Sequence, residues 1–421
     1  MTFNEFLIKD IAVISSGKRP PKISKTKTNE CPVPVIGGGG PSGFTSEVLA
    51  KKGALITGRV GTLGKLHVAP QDCWPSDNAL VLRPLPDKVD KDFFRYALSL
   101  IISSAFDLNR GAANPLLTQT DLGALLIKIP AFAEQRAIAS ILIAIDDKIE
   151  NNNRIAATLE EMARALYRSW FVDFDPVHAK AAGEQPAHMD EATAALFPDR
   201  FGDDGLPEGW ETIAASKIVS ITKGKSYKSK ELIPSNTALV TLKSFARGGG
   251  YRMDGLKPYT GSFKPEQIVE PGEIILSMTD VTQSAEVIGR ATLARSSPKF
   301  TRLVASLDVG IIRSRNEKIP STEYLHQVFS SDEFVNHCNS RTTGTTVLHL
   351  SKEAAYSFKF ALPEEPVLEA FQNLLSGVRR RVFLLEKENN TLANTRDALL
   401  PRLMSGEIRV GEAHEQVKEL T

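Results

Sequence analysis

The 421-residue sequence has only three cysteines, Cys31, Cys73 and Cys338, far apart, odd in number and without CxxC spacing. Neither a disulfide framework nor a thiolate zinc site is expected, and a reducing cytoplasm is. No apolar run approaches the ~18 residues of a membrane span, and Met1-Thr2-Phe3-Asn4-Glu5 lacks the basic opening of a secretory leader. A soluble, unprocessed chain that does not engage a membrane is the expectation. Charge of one sign is missing too: 51 Lys and Arg against 50 Asp and Glu leave +1. This argues against a protein that coats nucleic acid over its whole surface, yet leaves room for local basic faces. At ~100 to 200 residues per domain the length implies two to four domains, and 42% hydrophobic with 24% charged residues is ordinary globular composition.

What the average hides is the distribution of charge. Residues 18 to 29 carry Lys18, Arg19, Lys22, Lys25 and Lys27 without an acid, and residues 217 to 230 carry Lys217, Lys223, Lys225, Lys228 and Lys230 without one. Between them, residues 173 to 211 hold ten acids, from Asp173 to Glu211, against Lys180 and Arg200.

The two basic segments belong to an internal duplication. Gly111 and Gly344, Leu117 and Leu350, Pro130 and Pro363, Leu159 and Leu392, and Leu166 and Leu399 are each 233 residues apart. Upstream the register drifts as loops of unequal length require: Arg83 meets Arg313 at 230, Gly53 meets Gly272 at 219, and Gly17-Lys18 meets Gly224-Lys225 at 207. Each repeat opens with short β-branched runs bounded by Gly, Pro, Asn or Ser, such as 54–57, 79–82, 273–276 and 308–312, with short amphipathic helices at 91–102 and 321–330. The class is therefore α+β.

Each repeat closes on a 4-3 apolar spacing. Ile138, Leu142, Ile145, Ile149, Asn152, Ala156, Leu159, Ala163, Leu166 and Trp170 form one seam; Phe371, Leu375, Val378, Val382, Leu385, Asn389, Leu392, Arg396, Leu399 and Leu403 form the other. Each seam is roughly 50 Å of helix at ~1.5 Å per residue. An antiparallel coiled-coil pair joining the halves is expected, with Asn152 and Asn389 on different levels; the alternative is that each helix packs on its own half. The first helix should stop before Asp175-Pro176, and the second should kink or end near Pro401 and close at Gly406. From Pro176 to about Gly209 the sequence reads as a linker.

Catalytic signatures are missing. Asp175-Pro176-Val177-His178 and Asn114-Pro115-Leu116-Leu117 lack the second proline and the aromatic of an amine-methylating loop. Gly38 to Gly43 formally matches GxGxxG, but Pro41 argues against a dinucleotide site. Gly58 to Leu66 resembles a phosphate loop, yet has one intervening residue too many and Leu66 where Ser or Thr is needed. The seven histidines form no HExxH, and His67, His326 and His349 read as isolated polar residues. A non-catalytic, metal-free role is the leading reading.

Binding loops remain. Glycine-rich loops that carry cations can approach DNA closely. In the first half the candidates are Lys18, Arg19, Lys22, Arg59, Lys65, Arg110 and Asn114. In the second they are Lys223, Lys225, Tyr227, Lys228, Lys243, Arg247, Arg341 and Thr343. For any single loop the alternative is an ordinary solvated turn; recurrence in both repeats favours DNA.

Over essentially its whole length the sequence resembles the specificity subunits of type I restriction-modification enzymes, the HsdS family. The residues that carry the likeness are Glu134-Gln135-Arg136-Ala137-Ile138-Ala139 opening a long helix, the run from Leu159 to Phe174, Leu206-Pro207-Glu208-Gly209-Trp210, and Leu399 to Ile408. One departure is that the second helix opens Val367-Leu368-Glu369-Ala370-Phe371-Gln372, without Glu-Gln-Arg. The resemblance implies two β-rich target recognition domains joined by two long antiparallel coiled-coil helices, duplicated with pseudo-two-fold symmetry. The domains would span residues 1–130 and 207–363, the helices 131–175 and 364–406, with an acidic linker at 176–206 and a tail at 407–421.

The resemblance also implies that each domain reads half of a split, asymmetric double-stranded DNA site, the helices acting as a ruler longer than the ~34 Å of one duplex turn. Implied partners are two methyltransferase subunits, which bind S-adenosylmethionine, and restriction subunits, which use ATP and Mg. This chain itself would need no cofactor. Trp170 and Phe171 are candidate partner-interface residues, simple packing at the helix end being the alternative. Two other readings stay open: a pseudo-symmetric protein-interaction scaffold, and a specificity subunit of another defence methylation system.

Overall fold

The computed structural model describes residues 2–60, 64–108, 116–281, 284–315 and 321–418, with the backbone alone for 103–108. The chain divides into two compact units, the first comprising Met1–Arg154 and Leu385–Thr421, the second Ile155–Leu384. The fold is α+β in both. No helix among the described residues is long and apolar enough to cross a membrane.

The first unit runs β1 (Asn4–Leu7), α1 (Ile8–Ile11), β2 (Ala12–Ser16), β3 (Val33–Gly37), β4 (Gly40–Thr45), β5 (Leu55–Gly58), β6 (Leu66–Val68), β7 (Trp74–Pro75), β8 (Ala79–Pro84), α2 (Lys91–Leu108), α3 (Gln119–Gly123) and β9 (Leu126–Ile129), then enters α4 (Phe132–Phe171). Its sheets have the orders β2-β8-β5-β6, β4-β3-β7 and β1-β9. After α4 come α5 (Asp175–Ala181) and α6 (Glu191–Ala195).

The second unit then repeats the plan with β10 (Glu211–Ala214), α7 (Ala215–Ile218), β11 (Val219–Lys223), β12 (Thr237–Val240), β13 (Lys257–Pro258), β14 (Ile268–Val269), β15 (Ile274–Ser277), β16 (Thr279–Asp280), β17 (Ala291–Leu293), β18 (Arg302–Ala305), β19 (Val309–Ser314), α8 (Thr322–Ser330), α9 (Asp332–Asn339), β20 (Leu348–His349), α10 (Lys352–Tyr356) and β21 (Lys359–Leu362). Its orders are β11-β19-β15-β17, β13-β12-β18-β14, β10-β21 and β16-β20. The chain closes with α11 (Glu365–Ser405) and α12 (Val410–Lys418).

The apolar runs in the sequence are strands buried on both faces, and strand alternation sends their side chains into two cores. In β8, Leu80 and Leu82 join the core shared with α2, whereas Ala79 and Val81 pack with Ile36 and Ile56. In β19, Ile312 joins the large aromatic core, whereas Val309 and Ile311 face Val240 and Leu303. Gly53 and Gly272, matched by the repeat, both sit at positive φ (85° and 89°) in the turn before the buried strand. Their amides donate to Ala69 O and Ala294 O, each at 2.8 Å.

Each unit borrows a helix segment from the other repeat. In the first, Ile138, Leu142 and Ile145 of α4 share a core with Leu392, Leu399 and Leu403 of α11. In the second, Ala163, Tyr167 and Trp170 of α4 share one with Phe371 and Leu375 of α11. The pairing is antiparallel: Asn152 meets Asn389 and Asp146 meets Arg396. The helices therefore do not pack each on its own half. Nor do the asparagines lie on different levels, since Asn152 Nδ2 donates to Asn389 Oδ1 at 3.0 Å.

The helix ends follow local chemistry. Helix α4 stops where Phe174 takes a left-handed conformation (φ 53°) and Pro176 opens α5. Helix α11 continues through Pro401 to Ser405 and is closed by Gly406 at φ 76°. At the start of α4, buried Gln135 accepts from Asp90 N (2.7 Å) and donates to Pro130 O (2.9 Å), fastening α2 to α4. Its repeat counterpart Leu368 is buried and apolar, so the second helix needs no glutamine there.

Two segments read as connections are packed parts of the fold. Residues 176–206 hold α5 and α6, with Val177 and Phe197 buried in the aromatic core of the second unit. The tail holds α12, whose Ala413 and Val417 are buried with Ile408 in the first.

Candidate nucleic-acid interface

Strand direction gathers the basic segments of each unit at one end of its four-stranded sheet. In the first unit β2, β5 and β8 are antiparallel in register, Ser16 opposite Leu80 and Gly58 opposite Ala79, while Thr57 faces Leu66. The C-terminal ends of β2 and β5 and the N-terminal ends of β6 and β8 therefore coincide. Lys18 and Arg19 leave β2 there, Arg59 leaves β5 and Lys65 precedes β6. In the second unit Lys223 faces Gly310, Ser277 faces Val309 and Leu276 faces Ala291, so Lys223 and Lys225 occupy the equivalent end.

The glycine before each lysine is obligatory. A Cβ on Gly17 would lie 2.1 Å from Ser76 O, and one on Gly224 the same distance from Ala305 O. Without side chains, the following amides reach the neighbouring strand: Lys18 N donates to Pro75 O (3.1 Å) and Lys225 N to Ala305 O (2.8 Å). Both lysine side chains leave a backbone held by the same bonds.

The other cations divide by what they touch. Arg19, Lys223, Lys65 and Lys243 are exposed. Lys22 is paired with Glu30, which raises its pKa and lowers that of the carboxylate, so the acid just beyond the basic run neutralises part of it. Arg247 stands beside three glycines at positive φ, Gly248 to Gly250, and pairs with Glu286 at 2.9 Å.

Arg59 is half-buried, its amide bonded to Asn78 O (2.9 Å) and its carbonyl to Leu117 N (2.9 Å); its Nε is buried without a partner among the described residues. Lys228 is exposed and its amide donates to Glu231 (2.7 Å). Tyr227 packs against Leu239, Tyr259 and Val304, with the Lys257 ammonium 5.6 Å from its ring centroid. That places it as a wall of the fold with a cation over its face, in contrast to a free stacking platform. The sequence reading missed Lys257, whose partner ring is thirty residues away.

Arg341 and Thr343 lie beyond α9. Arg341 is exposed and its Nη1 donates to Ser340 Oγ at 2.9 Å. Thr343 exchanges backbone bonds with His349 (3.0 and 2.8 Å), and β20 places this loop against β16 at the same sheet end. Arg110 and Asn114 lie outside the described residues.

Trp170 and Phe171 are only 3% and 4% exposed. Phe171 meets Phe371 at 4.8 Å and Tyr324 at 5.0 Å between ring centroids, and Trp170 meets Phe197 at 5.0 Å, all edge to face. Their expected role as an exposed partner interface is corrected: they anchor the core of the second unit. The exposed large apolar residues on this stretch of the helices are Met162 on α4 and Leu374, Phe383 and Leu384 on α11. They fall off the 4-3 seam, which is the signal that distinguishes them. Among the described residues no group of three or more His, Cys, Asp or Glu is disposed to hold a metal.

Comparison with known proteins meets this geometry. Residues 1–161 match the family model described as type I restriction modification DNA specificity domain. The specificity subunit of the type I restriction enzyme HindI from Haemophilus influenzae is 25% identical over 347 residues, covering 71% of this chain and 72% of that one. The MjaIX specificity subunit from Methanocaldococcus jannaschii is 26% identical over 338 residues, covering 77% and 71%. The crystal structure of the type I restriction-modification S subunit from M. genitalium shares the fold with a TM-score of 0.50 at 18% identity, covering 96% of each chain. The first 161 residues thus match the type I restriction modification DNA specificity domain, and most of the chain is similar to type I specificity subunits.

Proposed function

We propose that this chain is the non-catalytic subunit that gives a type I restriction-modification complex its DNA address. Each unit reads one half of a split double-stranded site. The observation that carries the reading is the repeated sheet end, where Gly17-Lys18 and Gly224-Lys225 are held by the same backbone bonds beside further cations. Lysines on such an end neutralise phosphates and fix register, while neighbouring side chains face base edges. Loops of different sequence on one frame give two different half-sites, hence an asymmetric target.

Methylation and cleavage would belong to partners. Methyltransferase subunits carrying S-adenosylmethionine would dock on the helices, where Met162, Leu374, Phe383 and Leu384 offer apolar contact. Restriction subunits using ATP and Mg would join them. Mapping N6-methyladenine in cells that express the chain with its neighbouring methyltransferase, against cells lacking only this chain, tests the proposal. A split asymmetric motif that vanishes on deletion is expected. Unchanged methylation with an active partner, or association insensitive to salt, would instead indicate a protein scaffold.

A further inference from the structure

The two sheet ends contain one turn built twice with different chemistry. In the first unit Ser76-Asp77-Asn78-Ala79 joins β7 to β8; in the second Ser306-Leu307-Asp308-Val309 joins β18 to β19. Five backbone bonds recur. Ala79 N donates to Ser76 O (3.0 Å), as Val309 N does to Ser306 O (2.9 Å). Ser76 N reaches Ile36 O (3.0 Å), as Ser306 N reaches Val240 O (2.9 Å). Gly17 N and Lys18 N donate to Ala79 O (2.9 Å) and Pro75 O (3.1 Å), as Gly224 N and Lys225 N do to Val309 O (3.0 Å) and Ala305 O (2.8 Å). Arg59 N donates to Asn78 O (2.9 Å), as Met278 N does to Asp308 O (2.8 Å). The turn is thus clamped between the lysine-bearing segment and the loop after the central strand in both units.

On this common frame the first central residue is Asp77 in one unit and Leu307 in the other, both exposed. Leu307 is 50% exposed, and its amide donates to Lys225 O at 2.8 Å. Of the two, the exposed leucine is the one its surroundings do not explain. Turn centres favour short polar residues, and an exposed leucine leaves apolar area in water. Asp77 suits a turn, but a carboxylate on the turn whose backbone bonds the Lys18 and Arg59 amides would repel phosphates attracted by those cations, unless it faces something other than phosphate.

On the reading that these ends bind duplex DNA, we infer that Asp77 and Leu307 are matched base-reading positions. Asp77 accepts from an exocyclic amine, the cytosine N4 group being its best partner, and Leu307 packs on the thymine 5-methyl group. At this position the half-sites differ because the side chains differ while the backbone does not.

The test selects a randomised duplex library with the assembled complex containing wild-type chain, Leu307→Asp or Asp77→Leu, and sequences the bound fraction. Each variant should change the preferred base pair at one position of one half-site and leave the other half unchanged. A complementary measurement uses the milder Leu307→Ala with probes in which one thymine is replaced by uracil. Wild type should bind the uracil probe about fourfold more weakly, as expected for one methyl group left unburied, and the variant should be indifferent. Retained binding with an unmoved motif, or an equal uracil penalty in both proteins, overturns the assignment of this turn. If wild type selects no split motif at all, the DNA-reading function itself fails.

Discussion

Asn152 and Asn389 face each other across the antiparallel helices, and Asn389 also donates to Asn153 Oδ1 at 2.9 Å. Asn152 is 1% exposed. In the repeat their counterparts are Leu385 and Ala156, so the two asparagines occupy different repeat positions, four residues apart. They meet because the helices cross midway between those positions. Replacing one partner strands a polar group in the seam. Asn152→Leu should therefore cost about 1–3 kcal/mol, and Asn152→Leu with Asn389→Leu should recover most of it or more. A double-mutant cycle of denaturant midpoints reads the coupling. Additive losses would show that the hydrogen bond contributes nothing to register.

Trp170→Ala should remove ~3–5 kcal/mol from the second unit, because the indole fills an aromatic core with Phe197, Phe171 and Phe371. By contrast, Met162→Ser and Leu374→Ser should stay within about 0.5 kcal/mol of the parent and weaken capture of the methyltransferase subunit. Thermal melts and co-purification together separate the two classes. Intact melting of the Trp170 variant would contradict its placement in the core.

Lys18→Ala and Lys225→Ala should each weaken binding to duplex and reduce the slope of log affinity against log salt by about 0.9 for each phosphate that is no longer neutralised. Lys22→Ala should do less, because Glu30 already pairs with it. Arg341→Ala should weaken one half-site and leave assembly intact. Titrations at several salt concentrations, with each half-site altered in turn, measure all four. Identical slopes for parent and lysine variants would remove those lysines from the interface.

Acid should loosen the second unit through His326. Burial first, then the cations of Arg295, Arg379 and Arg164, push its pKa down from 6.5 to about 4. Glu160 and Glu323 hold Arg295 and Arg379 at 3.2 and 2.9 Å. The depressed value means that the unfolded chain takes up the proton first, so stability is full above about pH 6.5 and falls as pH drops toward 4. His326→Gln should flatten that part of the stability-pH curve. An unchanged slope would assign the acid sensitivity to other groups.

Periodicity and repeat spacing carried much of the fold. The 4-3 seams mark α4 and α11 because a helix that buries one stripe must repeat apolar residues at that interval. The match of Gly17-Lys18 with Gly224-Lys225 marks both sheet ends, since only glycine tolerates backbone at 2.1 Å from its Cβ position. Trp170 shows the limit. Its seam position is legible, whereas its enclosure depends on Phe197 and Phe371, which come from elsewhere in the chain.

The duplication, the α+β class, the two long helices and the basic segments are all written in the amino-acid order, because each depends on local spacing or on the likeness of one half of the chain to the other. Which groups meet was settled in three dimensions. Folding paired Lys22 with Glu30 and Arg247 with Glu286, set Tyr227 into a wall, packed the supposed linker and tail into cores, and gave the turns of Asp77 and Leu307 the same backbone bonds, each within its own unit. Most of these contacts join residues distant in sequence, and their geometry comes from strand register and helix crossing, which no residue spacing encodes.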